Sequence, residues 1–154
     1  MLALDTVAAK GSGGDAGESR FSTLTQITKQ NVGRLEKAWE FDAGASNLQL
    51  TPLVVDGQMY VTAGSNIFAI EPETGRQIWR FEAPGVVSRR GVAYWPGDAK
   101  TPGRLFSGAG DRLIALDAKT GRLVPDFGTH GLVELSPGIK GDVAGRTGLV
   151  SPPF

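Results

Sequence analysis

No cysteine occurs among the 154 residues, which excludes disulfides and thiolate metal centres. An excess of charge of one sign is missing too. Sixteen Lys and Arg stand against sixteen Asp and Glu, and that balance offers no electrostatic footprint for nucleic acid or an anionic membrane surface. The apolar runs are a few residues long, far short of the ~20 that span a bilayer as a helix. The single histidine, His130, sits in the Gly-flanked FGTHGL, and no Gly-x-Ser-x-Gly elbow is present. A Ser/His/Asp hydrolase or a histidine-rich metal site therefore has no support, and His130 reads as an exposed turn residue. No Walker-type lysine follows a glycine-rich loop, and GSGGDAG lacks the spacing and preceding strand of a dinucleotide fingerprint. The opening MLALDTVAAK carries Asp5 in its apolar stretch and no basic n-region, so no export signal is legible there.

What is abundant is glycine. There are 22, with 9 prolines, dispersed along the chain, as suits many short strands joined by tight turns. An all-β fold follows. Residues 1–20 contain KGSGGDAGES, which has no periodicity and reads as a flexible leader before a unit covering 21–154. Next, Thr28 is a candidate N-cap for a short helix whose apolar contacts are Val32 and Leu35. Lys37 to Phe41 alternates like a strand carrying Trp39.

An internal repeat carries more weight than any single element. SNIFAIEPETGRQIWRF (65–81) aligns with DRLIALDAKTGRLVPDF (111–127), pairing Ala69 with Ala115, Gly75 with Gly121 and Phe81 with Phe127, each 46 residues apart. Upstream, Met59-Tyr60-Val61 falls opposite Leu105-Phe106-Ser107 at the same spacing. A period in the forties made of short strands is that of a propeller blade. The units run over about 46–82 and 91–128, with an incomplete next blade to 154. In Glu71–Gly75 and Asp117–Gly121 the acidic side chain can accept from following amides while Gly supplies the left-handed position. Trp79, four residues past Gly75, can pack over a neighbouring blade; its counterpart is Pro125, which cannot.

Arg89-Arg90 precede Gly91 and the apolar VAYW, placing a guanidinium at a strand start. Arginine suits two-pronged recognition of carboxylates and carbonyls, but a surface pair with solvated heads is the commoner arrangement.

Four segments resemble one known family. FSTLTQITKQNVGRLEKAWEF is similar to the N-terminal signature of the pyrroloquinoline-quinone (PQQ)-dependent dehydrogenases, and LQLTPLVVDGQMYV to their first inward strand pair. RRGVAYWPG resembles their cofactor-arginine strand and ALDAKTGRLVPDFG their blade turn, in family order over about residues 20–154. The resemblance implies about two blades of an eight-bladed propeller, preceded by the short helix. It implies that Arg90 contacts the oxygens of the quinone. Gln49 falls where many relatives place a cofactor-binding glutamate, so an amide stands in for a charge, and Ser151 lies near a further cofactor-contact segment. Alcohol-type members carry two adjacent cysteines at the positions of Pro84 and Gly85, and their absence favours a sugar- or polyol-type relative.

The resemblance also implies a PQQ- and Ca2+-dependent oxidation of a sugar, polyol or alcohol in the periplasm, with a quinone or cytochrome as electron acceptor. No residue of this chain is assigned as a calcium ligand. The calcium ligands and catalytic groups are expected beyond Phe154, so the chain is expected to be inactive alone. The alternative is a non-enzymatic propeller of similar repeats that serves as a protein-binding scaffold, a choice that fold alone does not make.

Overall fold

A computed structural model describes residues 25–46, 48–135, 149 and 151–152. Its strands are β1 (Leu53–Val55), β2 (Gln58–Ala63), β3 (Asn66–Ile70), β4 (Gln77–Glu82), β5 (Ala93–Trp95), β6 (Arg104–Ala109), β7 (Arg112–Asp117) and β8 (Leu132–Glu134). They form two four-stranded antiparallel meanders, β1-β2-β3-β4 and β5-β6-β7-β8. The chain is all-β, a partial propeller of two blades.

The interior strands read as near-continuous apolar runs because they are covered on both faces. Ile67 to Ile70 of β3 and Ile114 to Leu116 of β7 are buried throughout, whereas β4 is exposed at alternate positions. One core joins the two sheets: Tyr60, Ile67 and Ala69 of the first pack with Leu105, Ile114 and Leu116 of the second. Burying each larger apolar side chain is worth roughly 1.5–3 kcal/mol, so this interface fixes the sheets against each other.

The left-handed glycine of the repeated turn is present in both copies, but the expected amide-to-carboxylate bond forms only at Asp117, while the Glu71 carboxylate accepts from side chains instead. The Gly75 amide donates to the Glu71 carbonyl at 2.9 Å, and the Gly121 amide to the Asp117 carbonyl at 2.9 Å. Thr74 donates its hydroxyl to the Glu71 carboxylate; Thr120 donates both hydroxyl and amide to that of Asp117, each at 2.8 Å. The Thr74 hydroxyl, followed by Arg76, holds the Glu71 carboxyl below its ordinary pKa. Both turns also receive a tryptophan. Trp39 Nε1 donates to the Pro72 carbonyl at 3.0 Å, and Trp79 Nε1 to the Ala118 carbonyl at 3.1 Å, 46 residues further on. Tyr60 donates its hydroxyl to the same Ala118 carbonyl at 3.2 Å. Trp79 is half-buried and Pro125 exposed.

Three local expectations need correction. The short helix is a single 3-10 turn, Val32–Arg34, with Asn31 and not Thr28 at the N-cap position and no side-chain cap bond. Val32 and Leu35 remain 52% and 59% exposed, so no apolar face is buried that could extend it. Lys37 to Phe41 is extended without ladder partners among the described residues, although Trp39 is docked as described.

The second sheet, thirdly, does not end near residue 128. Phe81 pairs with Ile67, and the residue that pairs with the equivalent Leu113 is Val133, not Phe127. Proline is the reason. Val124 still donates to the Ala115 carbonyl at 2.9 Å, but Pro125 has no amide hydrogen to continue a ladder. The chain loops out through Phe127 and His130, and the Ala115 amide finds the Gly131 carbonyl at 3.1 Å before β8 begins. The leader over 1–20 lies outside the described residues, as does most of the expected third blade.

Candidate functional site

Between β4 and β5 the chain crosses from one sheet to the other over the ends of both. Val87 donates to the Gly64 carbonyl at 2.9 Å, and the Gly110 amide donates to the Val86 carbonyl at 2.9 Å. Val87 and Ser88 face inward and are buried, so the residues that follow, Arg89 and Arg90, face outward and are exposed. The Arg90 carbonyl accepts from the Thr51 amide at 3.5 Å, and Gly91 lies so close that a Cβ there would stand 3.0 Å from the Thr51 carbonyl oxygen. The arginine turn and the segment entering β1 are thereby neighbours.

A cavity of about 430 Å³ opens beside this contact. Gly44, Gln49, Thr62, Ser88 and Arg89 are among its lining residues. Gln49 and Arg90 thus sit on adjacent backbone segments, with Gln49 in the cavity wall and Arg90 next to a wall residue. Ser151 is half-buried and is not in the wall. It is linked only through the chain, because Leu149, two residues earlier, accepts a hydrogen bond from the Ser88 hydroxyl at 2.9 Å.

The residues that sequence reasoning missed are the hydroxyls beneath the arginines. Thr62, Ser88 and Ser107 are the buried polar residues among those described. Thr62 donates its hydroxyl to the Ser88 carbonyl at 2.9 Å, and Ser107 accepts from the Ser88 amide at 3.3 Å. Their signal in the sequence is faint: a hydroxyl residue inside an apolar strand, in VTA (61–63) and LFSGA (105–109).

The donor set fits an anionic planar guest. Arg89 and Arg90, like Arg34 and Arg122, belong to no ion pair among the described residues, where Arg76, Arg80, Arg104 and Arg112 do. Two uncommitted guanidiniums beside a cavity with an amide in its wall suit carboxylate and carbonyl oxygens. Calcium is different. Among the described residues no three His, Asp or Glu side chains come together, so they do not form a cage for such a cation. His130 is exposed in its turn, as its sequence context suggests.

Comparison with known proteins gives a consistent picture. Residues 10–154 match the profile of the β-propeller domain described as "PQQ: Glucose/ethanol/alcohol dehydrogenase". The quinate/shikimate dehydrogenase (quinone) of Acinetobacter baylyi is 38% identical over 96 residues, 54% of this chain and 12% of that protein. Subunit 1 of the methanol dehydrogenase [cytochrome c] of Methylobacterium organophilum is 40% identical over 98 residues, covering 54% and 16% of the two chains. The crystal structure of the quinohemoprotein alcohol dehydrogenase of Comamonas testosteroni superposes with a TM-score of 0.67 at 36% identity. It covers 84% of this chain and 19% of that one. The chain thus spans between 12% and 19% of the length of these relatives.

Proposed function

We propose a function from one premise: the chain belongs to the PQQ-type glucose/ethanol/alcohol dehydrogenase β-propeller family. In this reading it supplies two blades and one wall of a quinone site to an enzyme that oxidises a hydroxyl group. The observation that carries the reading is a pair of arginines without an ion pair among the described residues, Arg89 in the wall of the cavity that contains Gln49 and Arg90 next to it.

When bound, PQQ supplies the two-electron acceptor for oxidation of a hydroxyl to a carbonyl. Arg90 would hold the quinone's oxygens, a role for which a planar fork is better suited than an ammonium. Gln49 both donates and accepts through its amide, but brings no charge. Ser151 adds a hydroxyl contact from the following blade. The catalytic base and the Ca2+ ligands come from other parts of the protein.

The substrate is an alcohol, polyol or sugar. Relatives named for quinate/shikimate, methanol and alcohol support a hydroxyl substrate of this breadth. The polyol or sugar side is favoured by Gly85, which replaces one of two adjacent cysteines and backs onto Gly110. A Cβ at Gly85 would fall 3.0 Å from the Gly110 amide nitrogen. Electrons pass to a quinone or a cytochrome, the two acceptors named for relatives. The periplasm is the location that goes with this reading.

The test is to purify the full-length protein, extract its cofactor into acid and identify it by absorbance and mass. Dye-linked oxidation is then assayed across methanol, ethanol, quinate, polyols and glucose. PQQ in the extract and turnover of at least one hydroxyl substrate support the reading. A protein that takes up no PQQ and instead co-purifies with a protein partner would support the scaffold reading.

A further inference from the structure

Ser88 uses every polar atom it has. Its hydroxyl donates to the Leu149 carbonyl at 2.9 Å and accepts from the Gly108 amide at 2.9 Å. Its amide donates to the Gly108 carbonyl at 3.1 Å, and its carbonyl accepts the Thr62 hydroxyl at 2.9 Å. The residue is 0% exposed. One residue therefore joins three segments: its hydroxyl bonds β6 of the second blade and the segment that leads to Ser151, and its backbone carbonyl bonds β2 of the first blade. The fit at the centre leaves no slack. A Cβ at Gly108 would lie 2.6 Å from Leu149 Cβ and 3.1 Å from the Ser88 hydroxyl oxygen.

We infer that Ser88 is a positioning residue for the quinone site. It fixes where the outward-facing Arg90, two residues on, stands relative to the Gln49 and Ser151 segments. The inference rests on the proposal that Arg90 contacts the quinone, and extends it to a residue that touches no cofactor. The physical argument is one of preorganisation. An exposed arginine on a crossover has many rotamers and a mobile backbone, and only a rigid anchor turns it into a donor of defined direction. Ser88 supplies that anchor on one side, and the hydrogen bond from Thr51 to the Arg90 carbonyl supplies it on the other. Removing the Ser88 hydroxyl would leave the buried Gly108 amide and the part-buried Leu149 carbonyl without this partner.

The experiment measures PQQ affinity by equilibrium titration of the full-length apoprotein, without turnover, for Ser88→Ala, Arg90→Ala, the double variant and Ile114→Val. Ser88→Ala should weaken binding about tenfold, the scale on which supporting contacts act. The double variant should bind no worse than Arg90→Ala alone, because Ser88 acts through the arginine. Ile114→Val, at a core site that is also 0% exposed, should lower the melting temperature and leave affinity unchanged. Should Ser88→Ala not fold, Thr62→Val removes a single bond to the same node and should weaken binding in the same direction. Wild-type affinity in a folded Ser88→Ala or Thr62→Val, with Arg90→Ala weakened, overturns the inference and leaves the site intact. Equal loss in Ile114→Val also overturns it, by reducing Ser88 to a general stabiliser. Wild-type affinity in Arg90→Ala overturns the site reading itself.

Discussion

Trp79 lies over Gly121 so closely that a Cβ added to the glycine would fall 2.5 Å from the indole ring. Gly121 also has φ +68°, so two constraints, contact and backbone, select the same residue. The same relationship holds one repeat earlier, where a Cβ at Gly75 would stand 2.6 Å from Trp39. Each turn is thus the seat for a tryptophan from the preceding unit, and the indole N–H completes the seat by bonding to the turn's carbonyl.

Gly121→Ala should accordingly destabilise the protein by about 2–3 kcal/mol, combining a left-handed backbone with an overpacked ring. Trp79→Ala should cost a similar amount, somewhat below the ~3–5 kcal/mol of a fully buried aromatic, because the ring is only half-buried. Denaturant titration of each variant checks both values. Pro125→Ala, at the exposed counterpart of Trp79, should change stability by less than about 0.5 kcal/mol.

Tyr60 provides a pH signature. Burial, above all, raises its phenol well beyond the ordinary value, with the charges of Tyr94, Asp56 and Asp117 adding to the effect. The folded state holds the proton more tightly than the unfolded chain does. The phenol's contribution is therefore complete below the unfolded pKa of about 10 and is lost as pH rises above it. Unfolding free energy measured between pH 9 and 12 should fall more steeply for the wild type than for Tyr60→Phe. Equal slopes would show that the phenol ionises without hindrance in the fold.

At the cofactor site, Arg90→Lys should weaken PQQ binding by about tenfold, because a point charge replaces a two-pronged donor. Gln49→Glu places a negative charge in the cavity wall and should change PQQ affinity more at low salt than at high. Titrations of the full-length apoprotein at low and high salt read both. Affinity that ignores Arg90→Lys would place the quinone elsewhere.

The isolated 154-residue chain should show no dye-linked oxidation of glucose or simple alcohols when PQQ and Ca2+ are added. Its described residues gather no cation cage, and it spans at most 19% of the length of the relatives compared above. A sizing measurement should show association, since sheets that normally sit within a closed ring are left with open flanks. Turnover above the free-quinone background would contradict the first expectation, and a sharp monomer peak with cooperative melting the second.

The blade turn was largely legible in the sequence because its chemistry is local, although the Glu71 carboxylate takes a hydroxyl where an amide was expected. An acidic residue, a threonine and a glycine at fixed offsets specify the hydrogen bonds by themselves, and the repeat of 46 displayed them twice. The fourth strand of the second sheet was not legible, because identity at Phe127 suggested a register that Pro125 prevents. The residue in the ladder position of Phe81 turned out to be Val133, which shares no sequence context with it. The candidate site was legible only by resemblance, which named Arg90 and Gln49. It did not name Ser88, whose place rests on burial between two sheets and a bond to Leu149, 61 residues away. No local pattern encodes that.

The proposed quinone site turns on Arg90, and the most direct measurement is a distance. In a crystal structure of the full-length protein loaded with PQQ, the Arg90 guanidinium should lie within about 2.7–3.2 Å of a quinone oxygen. The Ser88 hydroxyl should still be bonded to the Leu149 carbonyl beneath it. An Arg90 side chain on the outer rim of the ring, with the quinone bound away from the Gln49 cavity, would contradict the account.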